Sequence, residues 1–163
     1  MKTLLLLRHA KSSWKDAGRT DDDRSLSRRG KRDAPRMGRL LFAEKLVPDL
    51  ILSSTARRAR KTAAKVARAC GSRRDIVFHE ELYLATPEAH LAVLRQLKGS
   101  RQRVLVVGHN PGLEELLAHL TGVEEHLPTA ALAVIELRIT RWSALTQRTR
   151  GRLVRIYLPR EVE

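Results

Sequence analysis

Three short stretches of this chain carry cations or imidazoles that a single site could use together. "TLLLLRHAKSSW", Thr3 to Trp14, runs four leucines into Arg8 and His9. "SSTARRARKTA", Ser53 to Ala63, carries Arg57 and Arg58, and "VVGHNPG", Val106 to Gly112, carries His109. Guanidinium groups grip phosphate in a fork and keep their charge at neutral pH. A phosphoryl group in transfer spreads negative charge over its equatorial oxygens, so positioned cations are its main catalytic need. One neutral imidazole can attack phosphorus and hold it covalently, while a second donates a hydrogen bond to a non-bridging oxygen. Nearby positive charge disfavours imidazolium and so keeps the attacking ring neutral. A histidine at a strand end is more often a capping or surface residue, and "GHNPG" alone could be helix-starting punctuation. The two together, each closing an apolar run, point to a site.

These residues can meet only if the runs before them are neighbouring strands. Thr3–Leu7, Leu50–Leu52 and Val104–Val107 read as short apolar strands, and Ile76–Phe78 as a weaker one. Helices are expected between them. Ser27 caps one running toward Lys45, with Ala34, Met37, Leu40 and Leu41 on one side and Pro35 forcing a kink or a late start. A second spans Thr55 to Ala69, its thin stripe made by Ala56, Ala59, Ala63, Val66 and Cys70. In a third, Thr86 is the N-cap, Pro87 the first helical residue and Gly99 the stop. In a fourth, Asn110 is the cap and Leu113, Leu116, Leu117 and Leu120 face inward. Ala131–Ile139 and Leu153–Leu158 close the chain as strands that could add an antiparallel member. The alternation predicts a three-layer α/β/α sandwich with a mostly parallel central sheet. Ligand sites in such sheets lie outside the carboxyl ends of the strands, where Arg8, His9, Arg57 or Arg58, and His109 would converge.

Composition narrows the reading further. At 163 residues, 42% of them hydrophobic, the chain is expected to form one domain over residues 1–163 with a core of Leu, Val, Ile and Ala. The single cysteine, Cys70, excludes an intrachain disulfide and suits a reducing, cytoplasmic setting. No apolar stretch approaches the roughly 20 residues of a membrane span, and the apolar part of "MKTLLLLRHA" is too short for a signal peptide. The net charge of +14 suits an acidic or phosphorylated partner, although a solvated arginine-rich surface is the better explanation of the charge as a whole. Neither zinc-finger spacing nor an aromatic RNA-binding signature accompanies it, so nucleic acid is not the expected partner. No metal site is expected, since HExxH and Cys/His ligand spacings are missing. The lack of GxxxxGK[ST] and GxGxxG loops argues against a bound nucleotide, and no cofactor is expected.

In motif order and spacing the chain resembles the histidine phosphatase superfamily, the phosphoglycerate mutase-like family. "LLLLRHAKSSW" is similar to its RHG-type motif, "SSTARRARKTA" to its second motif and "VVGHNPG" to its second-histidine motif. The short length, "RHAKSSW", "DDDRSLSRRGKRDAPRMG", "ELYLATPE" and "GHNPGLEELLAHLTG" look most like the SixA branch, the protein phosphohistidine phosphatases. The resemblance implies His9 as nucleophile, Arg8 and Arg58 as phosphoryl ligands, and His109 as their assistant. Arg58 is the match because it stands four residues before Thr62; Arg57 falls one place early and should point elsewhere on a helix. Ala10 follows His9 where many members carry Gly, and Lys15 stands where mutase-like members often carry Asn. Both departures argue against a mutase.

An alkoxide leaving group needs a proton donor. Glu81, in "HEELYLATPE", lies near where larger members place their acid and is the candidate general acid or substrate contact. A phosphohistidine needs less help, because imidazole leaves more readily than an alkoxide. No insertion between the motifs is long enough for a lid, which suggests an open site that admits a phosphorylated side chain of another protein. The expected function is therefore metal-independent hydrolysis of phosphohistidine on a partner protein, releasing inorganic phosphate. The alternatives are a small-molecule phosphomonoesterase on the same scaffold and a non-catalytic basic binding module.

Overall fold

The run of four leucines becomes the middle of a sheet. A computed structural model describes residues 1–15, 20–73 and 75–162. In it Lys2–Arg8 forms β1, and Leu4, Leu5, Leu6 and Leu7 are each no more than 1% exposed. Side chains alternate along a strand, so Leu4 and Leu6 enter one core and Leu5 and Leu7 the other. A strand covered on both faces has no place for polar alternates, which is why it reads as an unbroken apolar run.

The other strands are β2 (Leu50–Ser54), β3 (Ile76–His79), β4 (Arg103–Gly108), β5 (Leu132–Leu137) and β6 (Gly151–Tyr157). The sheet order is β3-β2-β4-β1-β5-β6. β3, β2, β4 and β1 pair in parallel. β5 lies antiparallel to β1, and β6 antiparallel to β5. The expected mostly parallel sheet is present, and both closing strands bring antiparallel pairing. Helices α1 (Arg28–Ala43) and α2 (Arg57–Cys70) pack on the Leu5/Leu7 face, while α3 (Pro87–Arg95) and α4 (Gly112–Thr121) pack on the Leu4/Leu6 face. The layers are thus α/β/α.

Local sequence accounts for most helix ends. The Ser27 hydroxyl accepts from the Gly30 amide at 3.2 Å, and the Thr86 hydroxyl from the Ala89 amide at 3.2 Å. Gly71 ends α2 and Gly122 ends α4, both in the left-handed region. Three expectations need correction. α1 starts at Arg28, with no late start, and continues through Pro35; the Ser27 cap and the buried Gly30, Ala34, Met37, Leu40 and Leu41 hold it. α3 stops at Arg95, four residues before Gly99, once Leu91 and Leu94 are buried. Asn110 is not the cap of α4. Its amide donates to the Glu114 carboxylate at 2.6 Å and to the Leu127 carbonyl at 2.8 Å, the Asn110–Pro111 peptide is cis, and Pro111 stands at the cap position. Among the described residues no helix is long and apolar enough to cross a membrane.

Candidate active site

Sheet register brings three strand ends to one level. Arg8 pairs with Gly108 across β1 and β4, and Ser53 pairs with Val107 across β2 and β4. The residues that follow, His9, Ser54 and His109, therefore emerge together. The His9 and His109 rings lie 5.2 Å apart between centroids, tilted by 52°.

Arg58, in the first turn of α2, reaches between them and is only 3% exposed. Its Nε donates to His9 Nε2 at 3.4 Å, and its Nη2 donates to His109 Nδ1 at 3.4 Å. Arg57 points away and pairs with Asp23 at 3.8 Å. Arg8 donates from Nη1 to the Leu127 carbonyl at 3.1 Å, while its buried Nε has no hydrogen-bond partner among the described residues. Glu114 supports that carbonyl's segment by accepting from the Leu127 amide at 3.3 Å, and its charge opposes the lowering of the Arg8 pKa by burial.

The tautomers follow from the partners. A carbonyl can only accept, so the 2.8 Å contact of His9 Nδ1 with the Ala10 carbonyl places a proton on Nδ1. The lone pair of the neutral ring is then on Nε2, facing Arg58. For His109, Nδ1 accepts from Arg58, so Nε2 carries the proton and donates to the Ser54 hydroxyl at 2.8 Å. Burial, joined by the charges of Arg58, Arg8 and Arg24 and opposed by the Ala10 carbonyl, takes His9 from its ordinary 6.5 down to about 4. Burial, then His9 and Arg58, takes His109 down to about 3. Both rings are neutral at physiological pH.

The backbone that holds the site is tightly packed. The Ala10 amide donates to the Thr62 hydroxyl at 2.9 Å, and that hydroxyl donates to the Arg58 carbonyl at 2.7 Å. One buried threonine thus fastens the loop after His9 to the turn that carries Arg58. A Cβ on Gly30 would lie 2.2 Å from the Lys11 carbonyl oxygen, and one on Gly112 would lie 2.0 Å from that of Ala85. Only glycine lets α1 and α4 approach these loops so closely.

Glu81 is not brought to this cluster. It is exposed and lies 3.6 Å from His79 at the sheet edge. The carboxylate that does touch the cluster is Asp21, which the motifs do not mark. Its main-chain carbonyl accepts from Arg58 Nη1 at 2.6 Å and its Oδ2 from Nη2 at 3.1 Å. Tyr83, whose ring meets His109 edge-on at 5.4 Å, donates its hydroxyl to the same Oδ2, and Arg24 binds Oδ1 at 3.1 Å. A signal is present in the sequence all the same: "DDD", Asp21 to Asp23, is a run of three acids in a chain of charge +14. These contacts also modify the expected open site. His9 is 7% exposed, and Asp21 and Tyr83 lie against its arginine partner. Trp14 and Lys11 are exposed, with the Arg24 guanidinium 3.6 Å above the Trp14 ring. Among the described residues no cluster of three His, Cys, Asp or Glu is placed to hold a metal ion.

A sequence model of the histidine phosphatase superfamily (branch 1) matches residues 4–83. A solved structure of a candidate phosphohistidine phosphatase SixA from Agrobacterium tumefaciens is 34% identical, covers 97% of this chain and 98% of its own, and superposes with a TM-score of 0.82. A similarly described SixA from Nakamurella multipartitia is 28% identical, with 97% and 96% coverage and a TM-score of 0.85. An uncharacterized protein of Mycobacterium tuberculosis is 34% identical over 142 residues, 80% of this chain and 87% of its own length. Sharing a third of its residues with a SixA structure over nearly the whole of both chains, this protein belongs to the histidine phosphatase superfamily, on its SixA-type branch, whose enzymes are phosphatases.

Proposed function

We propose that the protein hydrolyses phosphohistidine on a partner protein through a phosphoryl group carried on His9. The observation that carries this reading is the Nδ1–H bond from His9 to the Ala10 carbonyl, which leaves the Nε2 lone pair beside Arg58. In the first step Nε2 attacks phosphorus and the substrate nitrogen leaves. Arg8, Arg58 and His109 surround the phosphoryl oxygens. To donate to one of them His109 gives up its Nδ1 bond from Arg58 and takes a solvent proton there, which the arriving negative charge favours. In the second step water attacks phosphorus, its proton passes to a phosphoryl oxygen of the product, and His9 Nε2 leaves. The proton kept on Nδ1 makes phospho-His9 an imidazolium, so it departs as a neutral ring. The Ala10 carbonyl therefore serves both steps without a further acid.

The preference for phosphoramidates over alcohol esters is supported by the position of Glu81 outside the cluster and by the ionised state of Asp21. The Tyr83 hydroxyl bond, with the Arg58 charge, holds the Asp21 carboxyl at about 2, too low to protonate an alkoxide. We place the activity in the cytoplasm, in keeping with a single buried cysteine.

The test is phosphate release, with EDTA present, from an N-phosphohistidine peptide made with phosphoramidate and from a panel of phosphomonoesters. Wild type is expected to cleave the peptide fastest, to be indifferent to EDTA, and to lose activity on His9→Ala. Full activity in His9→Ala, or faster turnover of a sugar phosphate, overturns the reading.

A further inference from the structure

Asp21 stands at one end of a guanidinium whose other end faces the nucleophile. Arg58 offers Nε to His9, and Nη1 and Nη2 to Asp21. A guanidinium is flat and rigid, so Asp21 is held on the side of Arg58 away from His9. It is also the solvent side, since the Asp21 side chain is 46% exposed whereas that of Arg58 is 3% exposed. In an in-line transfer the leaving atom lies opposite the attacking one. The His9 Nε2 lone pair points at Arg58 and Asp21 lies beyond that guanidinium, so a group departing opposite His9 moves toward the side where Asp21 stands.

The carboxylate has capacity to spare. Two oxygens provide about four acceptor positions. Arg58 and Tyr83 take two on Oδ2, and Arg24 takes one on Oδ1. We propose that Asp21 Oδ1 accepts the N–H of the substrate's departing imidazole, making Asp21 a leaving-group residue selective for phosphohistidine. This rests on the function proposed above.

The step balances without any proton leaving the enzyme. The His9 Nε2 pair forms the new N–P bond. The old P–N bond breaks and its pair returns to the substrate ring nitrogen. The other ring nitrogen keeps its proton throughout, hydrogen-bonded to Asp21, and the ring leaves as neutral imidazole. Without that proton it would have to leave as imidazolate. Asp21 thus does for the substrate ring what the Ala10 carbonyl does for His9. The same carboxylate repels an alkoxide, whose negative charge grows as the bond breaks, and so discriminates against alcohol esters. Its own charge is secured by Tyr83, Arg58 and Arg24, with His109 nearby, and its carboxyl titrates at about 2, far below the working range.

Asp21→Asn tests this, with an N-phosphohistidine peptide and p-nitrophenyl phosphate as the two substrates, since p-nitrophenolate departs without a proton. The kcat on the peptide is expected to fall about ten- to a hundredfold more than the kcat on p-nitrophenyl phosphate. The alkaline limb of the peptide profile should also move to lower pH, because a carboxylate raises the pKa of a facing imidazolium and the amide does not. Asp21→Glu should recover part of both effects. Equal losses on the two substrates would show that Asp21 merely positions Arg58 and would overturn the proposal. A gain on both, with tighter inhibition by inorganic phosphate, would show a competitor for Arg58 and overturn it too. Wild type that fails to cleave the peptide removes the parent reading, and that result is visible without the variant.

Discussion

Arg57 and Arg58 are adjacent and chemically identical, yet a helix turns about 100° per residue and sends them to different fates. Arg58 is buried between His9, His109 and Asp21, while Arg57 leans out to Asp23. Arg58→Ala removes donors from the transferring phosphoryl group, and a single such donor is worth roughly 10²–10³ in rate. The kcat should fall by at least that much on an N-phosphohistidine peptide, measured under single-turnover conditions. Arg58→Lys should not rescue it, because one ammonium cannot serve the Nε and both Nη positions. Arg57→Ala should stay within about threefold of wild type, in line with the small worth of exposed ion pairs.

The elements carry the next layer of control, and most of them are legible in the sequence. The leucine run of β1, the Ser27 and Thr86 caps and the alanine stripe of α2 each follow from a local rule, and each recurs in the structure. Register inside α2 also tells Arg58 from Arg57. What escapes is set by distant partners. Asp21 lies 37 residues from Arg58 in sequence, and its loop carries no periodicity that could reveal the contact. Asn110 has the sequence position of a cap because it precedes Pro111, but Glu114 and the Leu127 carbonyl hold its Nδ2, and its Oδ1 meets no helix amide. Glu81 is suggested by position alone, and its side chain turns to His79.

Thr62 shows how two elements are made to agree. Its hydroxyl is fully buried and joins the loop after β1 to the first turn of α2. Thr62→Val keeps the shape but leaves the Ala10 amide unpaired, which costs about 1–3 kcal/mol. A fall of that size in urea unfolding is expected, together with a loss of kcat, since the Ala10 carbonyl orients His9. Thr62→Ser should restore most of both.

At the scale of the whole molecule, two neutral imidazoles in a buried site make the fold sensitive to acid. In the unfolded chain a histidine titrates near 6.5, and in the folded protein His9 titrates at about 4. Between those values the unfolded state binds a proton that the folded state refuses, so lowering the pH favours unfolding. The contribution is fully present above about 6.5, is lost as pH falls, and is gone below about 4. Each tenfold difference in proton affinity between the two states corresponds to about 1.4 kcal/mol, so His9 accounts for at most about 3.5 kcal/mol across this window. Carboxylates also begin to protonate near its lower end, which a difference measurement cancels. His9→Asn keeps an N–H that can reach the Ala10 carbonyl but does not titrate. Urea unfolding of wild type and His9→Asn at pH 7 and pH 4 should show the variant losing less stability on acidification. Equal losses would mean that the folded protein tolerates a charged His9, and that burial does not hold the ring neutral.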